Sequence, residues 1–269
     1  MERARADGLA VAVRSRGHAV AGQSSNDDGL MIDVRAMKSI EIDPVARTAR
    51  VGAGCTWGEF DAAAQVHGLA TTGGRVSTTG VSGLTLGGGS GWLERKHALS
   101  CDNLVAVELV TAVGRELRAD DQQHPELLWA CKGGGGNFGV VTAMEFKLHP
   151  VGPLILGGLL AWPADRGPEV ARRYRDMASE APAEFGSALV MLSGPPEEFV
   201  PPHLQGQPIV AVALMWTGDE AAGTDVVRVL RDLGPEIDLV GPMPYAQMQS
   251  MLDDPPGFRQ YWSAERGLP

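Results

Sequence analysis

Two glycine-rich stretches and one histidine supply the residue types that could do chemistry here. Thr71 to Gly91 holds eight glycines in 21 residues with a single charge, Arg75, and Gly133 to Gly139 holds five in seven. Glycine permits positive φ and lets backbone N–H groups approach a ligand with no Cβ between them. Successive inward-turned N–H groups form a nest for phosphate or diphosphate, so an almost uncharged loop can bind an anion. The plainer alternative is that both stretches are tight turns between packed strands. The third element is Arg14-Ser15-Arg16-Gly17-His18, an imidazole in a loop directly after a strand-like segment. A lone loop histidine is ordinarily a solvated or hydrogen-bonded side chain, and only the company of the glycine stretches makes this one a candidate.

Two nucleotide motifs fail. The chain contains no G-x-x-x-x-G-K-[ST], which excludes a P-loop. Gly134 to Gly139 reads G-G-G-N-F-G and matches G-x-G-x-x-G, but it follows a helical segment and precedes a strand, the reverse of the dinucleotide fold's order. Cys55, Cys101 and Cys131 are scattered and odd in number, so neither a disulfide framework nor a metal site is expected, and the setting expected is a cytoplasm with reduced thiols. Cys101 is expected to act as a small packing residue. A net charge of −10 argues against a nucleic-acid partner, and the absence of a long apolar run argues against a membrane span. The N-terminus lacks the apolar core of a signal peptide.

The elements that must position these residues can be read by periodicity. Leu9–Arg14, Leu30–Val34, Ser39–Ile42 and Thr48–Val51 read as short strands, with a turn at Asp43-Pro44. Thr56 to Gly68 reads as a helix: Thr56 and Glu59 have capping-box spacing, Phe60, Ala63 and Ala64 share a face, and Gly68 stops it. His67 suits that helix's C-terminal dipole. Leu104–Val113 and Glu116–Ala119 read as a hairpin about Gly114, His124–Cys131 as a short helix with Pro125 at its first position, and Val140–Leu148 as a strand. Pro150 and Pro153 break the pattern and mark a domain boundary, giving domains at 1–150 and 151–269. Beyond it the order is β-α-β-β-α, with helices over Pro168–Ala181 and Asp219–Leu233 and strands over Ala188–Leu192 and Ile209–Trp216. That order suggests an α+β layer, an antiparallel sheet covered by helices.

Five ordered stretches together resemble the FAD-linked oxidoreductases of the vanillyl-alcohol-oxidase type, and among them the berberine-bridge-enzyme-like flavoproteins. They are V-R-S-R-G-H-A-V-A-G (13–22), G-L-M-I-D-V-R-A-M (29–37), G-G-R-V-S-T-T-G-V-S-G-L-T-L-G-G-G-S-G-W-L (73–93), S-C-D-N-L (100–104) and L-L-W-A-C-K-G-G-G-G-N-F-G-V-V-T (127–142). The resemblance runs from about Gly8 to Pro150 and more loosely to Trp262. It implies an FAD-binding domain of the PCMH type followed by part of an α+β substrate domain. It also implies family sequence before residue 1, and beyond the end the rest of the substrate-domain sheet, the usual catalytic base and a returning segment.

The same resemblance implies FAD as cofactor, attached through His18 to the 8α carbon. The loop Val13, Arg14, Ser15, Arg16, Gly17, His18 and Ala19 would wrap the diphosphate. Val76, Thr79, Gly80, Val81, Ser82, Gly83 and Leu84, with Gly87, Gly88, Gly89, Ser90 and Gly91, would line the flavin and its diphosphate. Gly136, Phe138 and Val141 would contact the adenine end or the ribityl chain. Val76 stands where some members have a second, cysteinyl flavin link, so only the histidyl link is open here, and Thr79 stands where oxygen access is affected. Arg16 replaces a family glycine, which implies either backbone strain or a guanidinium–phosphate pair. The implied activity is hydride transfer from an alcohol, sugar or amine C–H, with molecular oxygen as acceptor and a small molecule as substrate. The alternative is a flavin-binding but catalytically silent remnant. No residue is nominated as catalytic base: His97 is weighed as packing or chemistry, Tyr245 and Tyr261 as core or surface aromatics, and Asp102 and Asn103 as fixing a turn.

Overall fold

The computed structural model describes residues 1–253. Tyr261 and the proline-rich tail lie outside the described residues. Helix α1 (Glu2–Ala6) leads into a parallel pair, β1 (Val11–Arg14) and β2 (Leu30–Asp33). There follow β3 (Ile40–Asp43), β4 (Thr48–Gly52), α2 (Trp57–Gln65), β5 (Leu69–Ala70), α3 (Val81–Leu86), α4 (Glu94–His97), β6 (Leu104–Val110), β7 (Glu116–Ala119), α5 (Pro125–Cys131), β8 (Val140–Lys147) and β9 (His149–Pro150). Then come β10 (Leu154–Pro163), α6 (Gly167–Glu180), β11 (Phe185–Ser193), β12 (Pro208–Trp216), α7 (Glu220–Arg231), β13 (Ile237–Asp238), β14 (Gly241–Pro244) and α8 (Tyr245–Gln249).

Two five-stranded antiparallel sheets organise these elements. The first has the order β3-β4-β8-β6-β7. Its inner face buries Val51, Val107, Leu109, Met144 and Phe146 against Trp57 and Phe60 of α2. Helix α2 forms because Thr56 accepts the Glu59 N–H at 3.2 Å while the Glu59 carboxylate accepts the Thr56 N–H at 2.8 Å, closing the capping box. Both bonds satisfy N–H groups that the first turn leaves without helical partners. The outer face carries Arg50–Glu108 and Arg118–Glu145, each a two-pronged ion pair across strands.

The second sheet runs β11-β12-β10-β13, with β14 pairing another part of β10. Strand β12 is buried on both sides beyond its first residue, and its two-residue period divides the packing. Val210, Val212, Leu214 and Trp216 meet Val170, Val227 and Leu230 of α6 and α7. Ala213 and Met215 face the other way, against Trp92, Leu93, Tyr245 and Met248. The second sheet thus has helices on one face and the glycine-rich half on the other. At Gly186 of β11 the approach is so close that a methyl group would lie 2.0 Å from the Trp92 carbonyl oxygen.

The predicted elements are present, with ends moved by one to three residues. The strand read over Leu104–Val113 ends at Val110, because Thr111 and Gly114 close the hairpin turn. The first glycine stretch is corrected more substantially: it is not all loop. Val81–Leu86 is helical, with Gly80 as its N-cap. The V-S-G-L-T-L run keeps apolar Val81 and Leu84 three apart, a signal that the surrounding glycines masked.

Candidate functional site

The loop after β1 and the first glycine stretch lie against each other. Ser15 donates its hydroxyl to the Ala53 carbonyl at 2.8 Å, and Ser82 of α3 donates to the same oxygen at 2.8 Å. Gly80 lies between them, where a methyl group would meet Ser15 Oγ at 2.6 Å and Arg16 Cγ at 3.2 Å. Gly17 has φ +79, and beneath it the Arg14 guanidinium lies 3.6 Å from where a Cβ would stand. His18 Nε2 shares a hydrogen bond of 3.1 Å with Thr78 Oγ1. The second glycine stretch joins this group at one point, where Gly135 N–H donates to the Leu86 carbonyl at the end of α3 at 2.8 Å.

These contacts unite Ser15, Arg16, His18, Gly80 and Ser82, and bring the second stretch to the end of α3. Val81 is buried in the first core, Leu84 packs against Gly74 and Gly89, and Val76 and Thr79 are half-buried along the same turn. Gly83, Gly87 and Ser90 are exposed, Gly88 and Gly91 buried and Gly89 half-buried. Val13 and Ala19 are exposed at the two ends of the first loop. Phe138 is exposed with its ring against Gly134, Gly136 is exposed, and the Val141 side chain is buried in the first core. The order helix, glycine stretch, strand is realised as α5, Gly133–Gly139, β8, so G-G-G-N-F-G is not in a Rossmann turn.

Arg16 does not show the backbone strain that its replacement of glycine raises as one alternative. It is not among the described non-glycine residues with positive φ, which are Asp28, Arg47, Ala98 and His124. Its guanidinium pairs with Glu59 at 3.2 Å, and Lys38 pairs with the same carboxylate. The N-terminal turn of α2 is thereby tied to the loop before His18. Sequence reasoning did not foresee Glu59 in this role, because its capping box already explained it. Nor did it single out Thr78, although that residue lies inside the quoted stretch.

The group has features that fit a dinucleotide. The buried Nε–H donors of Arg14 and Arg16 have no partner beside a turn of exposed backbone. Gly80 leaves a cradle that a Cβ would fill. These suit an anionic diphosphate on a glycine-lined surface, and the residues present therefore fit FAD.

His97 ends α4. Its ring stacks on His149 with centroids 3.8 Å apart, and its Nε2 is buried without a partner. Burial, reinforced by His149, Lys96 and Lys147, pushes its pKa down to about 4, so it is a neutral packed imidazole near neutrality. Asn103 donates to the His97 and Leu99 carbonyls at 2.8 Å, and Asp102 accepts the Leu99 N–H at 2.9 Å, fixing the turn into β6 as expected. Tyr245 is fully buried. Cys101 is buried and its thiol is pushed up by burial, in keeping with a packing role.

Comparison with known proteins agrees with this geometry. Residues 1–120 match the family model described as FAD binding domain. An FAD-linked oxidoreductase of Dictyostelium discoideum is 34% identical over 244 residues, covering 89% of this chain and 51% of that protein. (R)-6-hydroxynicotine oxidase of Paenarthrobacter nicotinovorans is 41% identical over 156 residues, 58% of this chain and 34% of its own length. Among solved structures, 6-hydroxy-D-nicotine oxidase from Arthrobacter nicotinovorans superposes with a TM-score of 0.83 at 31% identity, over 93% of this chain and 54% of that one. A berberine bridge enzyme variant gives a TM-score of 0.80 at 25% identity, over 93% and 50%. The chain is thus similar to FAD-linked oxidoreductases, and its residues 1–120 match an FAD-binding domain. It spans about half the length of the relatives that match most of it.

Proposed function

We propose that this chain is the flavin-holding part of an FAD-dependent oxidoreductase, in which Ser15–His18, Thr78–Ser82 and Gly135 grip the cofactor and His18 bonds to it covalently. The contact between His18 and Thr78 carries this reading, because it brings the one candidate nucleophile onto the glycine surface. A bound flavin would supply the redox chemistry, hydride removal from a C–H beside an alcohol, sugar or amine group of a small molecule with oxygen as electron acceptor. The chain's own contribution is binding and orientation. Backbone N–H groups and the unpartnered Nε–H donors of Arg14 and Arg16 would meet the diphosphate, while Thr78 holds the His18 ring. The division at residue 150 belongs to the same reading, supported by the separate cores on either side. A cytoplasmic setting also belongs to it, supported by three free buried thiols.

Purified protein should show the two visible absorption bands of oxidised flavin. After acid precipitation the colour should remain with the polypeptide, and His18→Ala should release it to the supernatant. Colour wholly in the wild-type supernatant would refute the covalent link. Colourless, folded protein that takes up no added FAD would refute the cofactor reading itself. Flavin reduced by light but by none of a panel of alcohols, sugars and amines would instead identify a silent binder.

A further inference from the structure

We infer that Asp253 is a positioning residue for the cofactor loop, holding the Ser77 turn, and through it Thr78 and His18, from the far half of the chain. Calling this the cofactor loop rests on the proposed function, whereas the contact itself does not. The Asp253 carboxylate accepts the Ser77 N–H at 2.6 Å and the Ser77 hydroxyl at 2.5 Å, across 176 residues of sequence. On the other side of the same residue, the Ser77 carbonyl accepts the Gly58 N–H of α2 at 2.9 Å. Ser77 is thus gripped by its N–H, its hydroxyl and its carbonyl, and the next residue, Thr78, holds His18.

The neighbouring chain is rich in glycine and has much backbone freedom to lose, so an external anchor at this turn narrows the positions open to His18. Hydrogen bonds to a carboxylate are about twice as strong as neutral ones. Asp253 arrives there because α8 docks on α2. Tyr245 and Met248 are fully buried, and Gln249 donates to Asp61 Oδ2 at 3.0 Å in a buried contact. Asp253 N–H then closes a turn on the Ser250 carbonyl at 3.1 Å. Neither glycine stretch reveals this anchor by itself, since it comes from an aspartate far along the chain that no motif singles out.

The test is amide hydrogen exchange on the whole chain as purified, comparing wild type, Asp253→Ala and Asp253→Asn. Asp253→Ala should speed exchange across residues 76–80 by about tenfold or more, the effect of losing charge-assisted hydrogen bonds. Exchange in α8 and in the second sheet should stay as in wild type. Asp253→Asn keeps one carbonyl acceptor without the charge and should fall between the two. It also decides the matter should the alanine variant fail to fold. The rate of acid-stable flavin attachment should follow the same order of the three proteins. Unchanged exchange over 76–80, or an increase spread evenly over the chain, overturns the inference. Because exchange is read on the polypeptide, a colourless protein with this turn intact would fault the flavin reading and leave the positioning role standing.

Discussion

In the first glycine stretch a methyl group at Gly91 would lie 1.9 Å from the Gly73 carbonyl oxygen, whereas at Gly133 and Gly136 of the second it would meet nothing within 4 Å. The first stretch is folded upon itself and built into the core. Gly73 lies against the Trp57 ring, Arg75 bonds Ser90 and Glu94 and stacks over Trp92, and Asp253 holds Ser77. The second stretch is mostly exposed and owes several of its glycines to backbone shape, as at Gly135 with φ +72. Equal composition therefore serves two ends. The first loop uses small residues chiefly to bring distant backbones together; the second uses them chiefly to turn corners, with close backbone approach only at Gly134 and Gly139.

The sharpest way to break this comparison is to add one methyl group to each loop. Gly91→Ala should cost about 3 kcal/mol or more, since a backbone carbonyl cannot step aside. Gly135→Ala should cost roughly 1–2 kcal/mol from its left-handed conformation, and Gly136→Ala should stay within about 0.5 kcal/mol. Urea denaturation of the three variants gives the order directly. Similar losses at Gly91 and Gly136 would end the distinction.

Two titratable groups near the first loop, one buried and one half-buried, should sharpen it through pH. Asp61 of α2 is pushed up to about 7 by burial, with Gln249 donating to it and the Tyr245 hydroxyl as the titratable group facing it. The folded chain therefore holds this proton more tightly than an unfolded carboxyl with an ordinary value of 3.8. Its contribution to stability is full below about 4 and is lost as pH rises towards about 7. Asp61→Asn should remove that decline, and exchange rates over 76–80 should respond to it more than those over 133–139. His97 works in the opposite sense and should have the smaller effect, being only half-buried. Its proton is disfavoured in the folded chain, so its contribution is present above about 6.5 and lost as pH falls towards about 4. His97→Gln should flatten the acid side of the stability profile measured by thermal melts. An unchanged acid limb would mean that burial does not govern its protonation.

Much of this was legible in the chain because it depends on local physics. The α2 capping box, the Gly114 hairpin, the Pro125 start of α5 and the strand over Ile209–Trp216 each place their signal within a few residues. The five family stretches likewise pointed to the flavin domain, and the loops they mark do meet at Ser15, Gly80 and His18. Helix α3 was missed because glycine density hid a short apolar spacing.

What the amino-acid order determined alone was therefore the kind of most of the longer elements and the presence of two small-residue stretches beside a histidine. Only the tertiary structure decided that Arg16 would pair with Glu59, that Ser15 and Ser82 would share the Ala53 carbonyl, and that Asp253 would close on Ser77. Periodicity and capping act over one or two turns of chain. Those pairings join residues 29 to 176 positions apart, and they exist because packing the faces of two sheets and of α8 brings distant segments side by side.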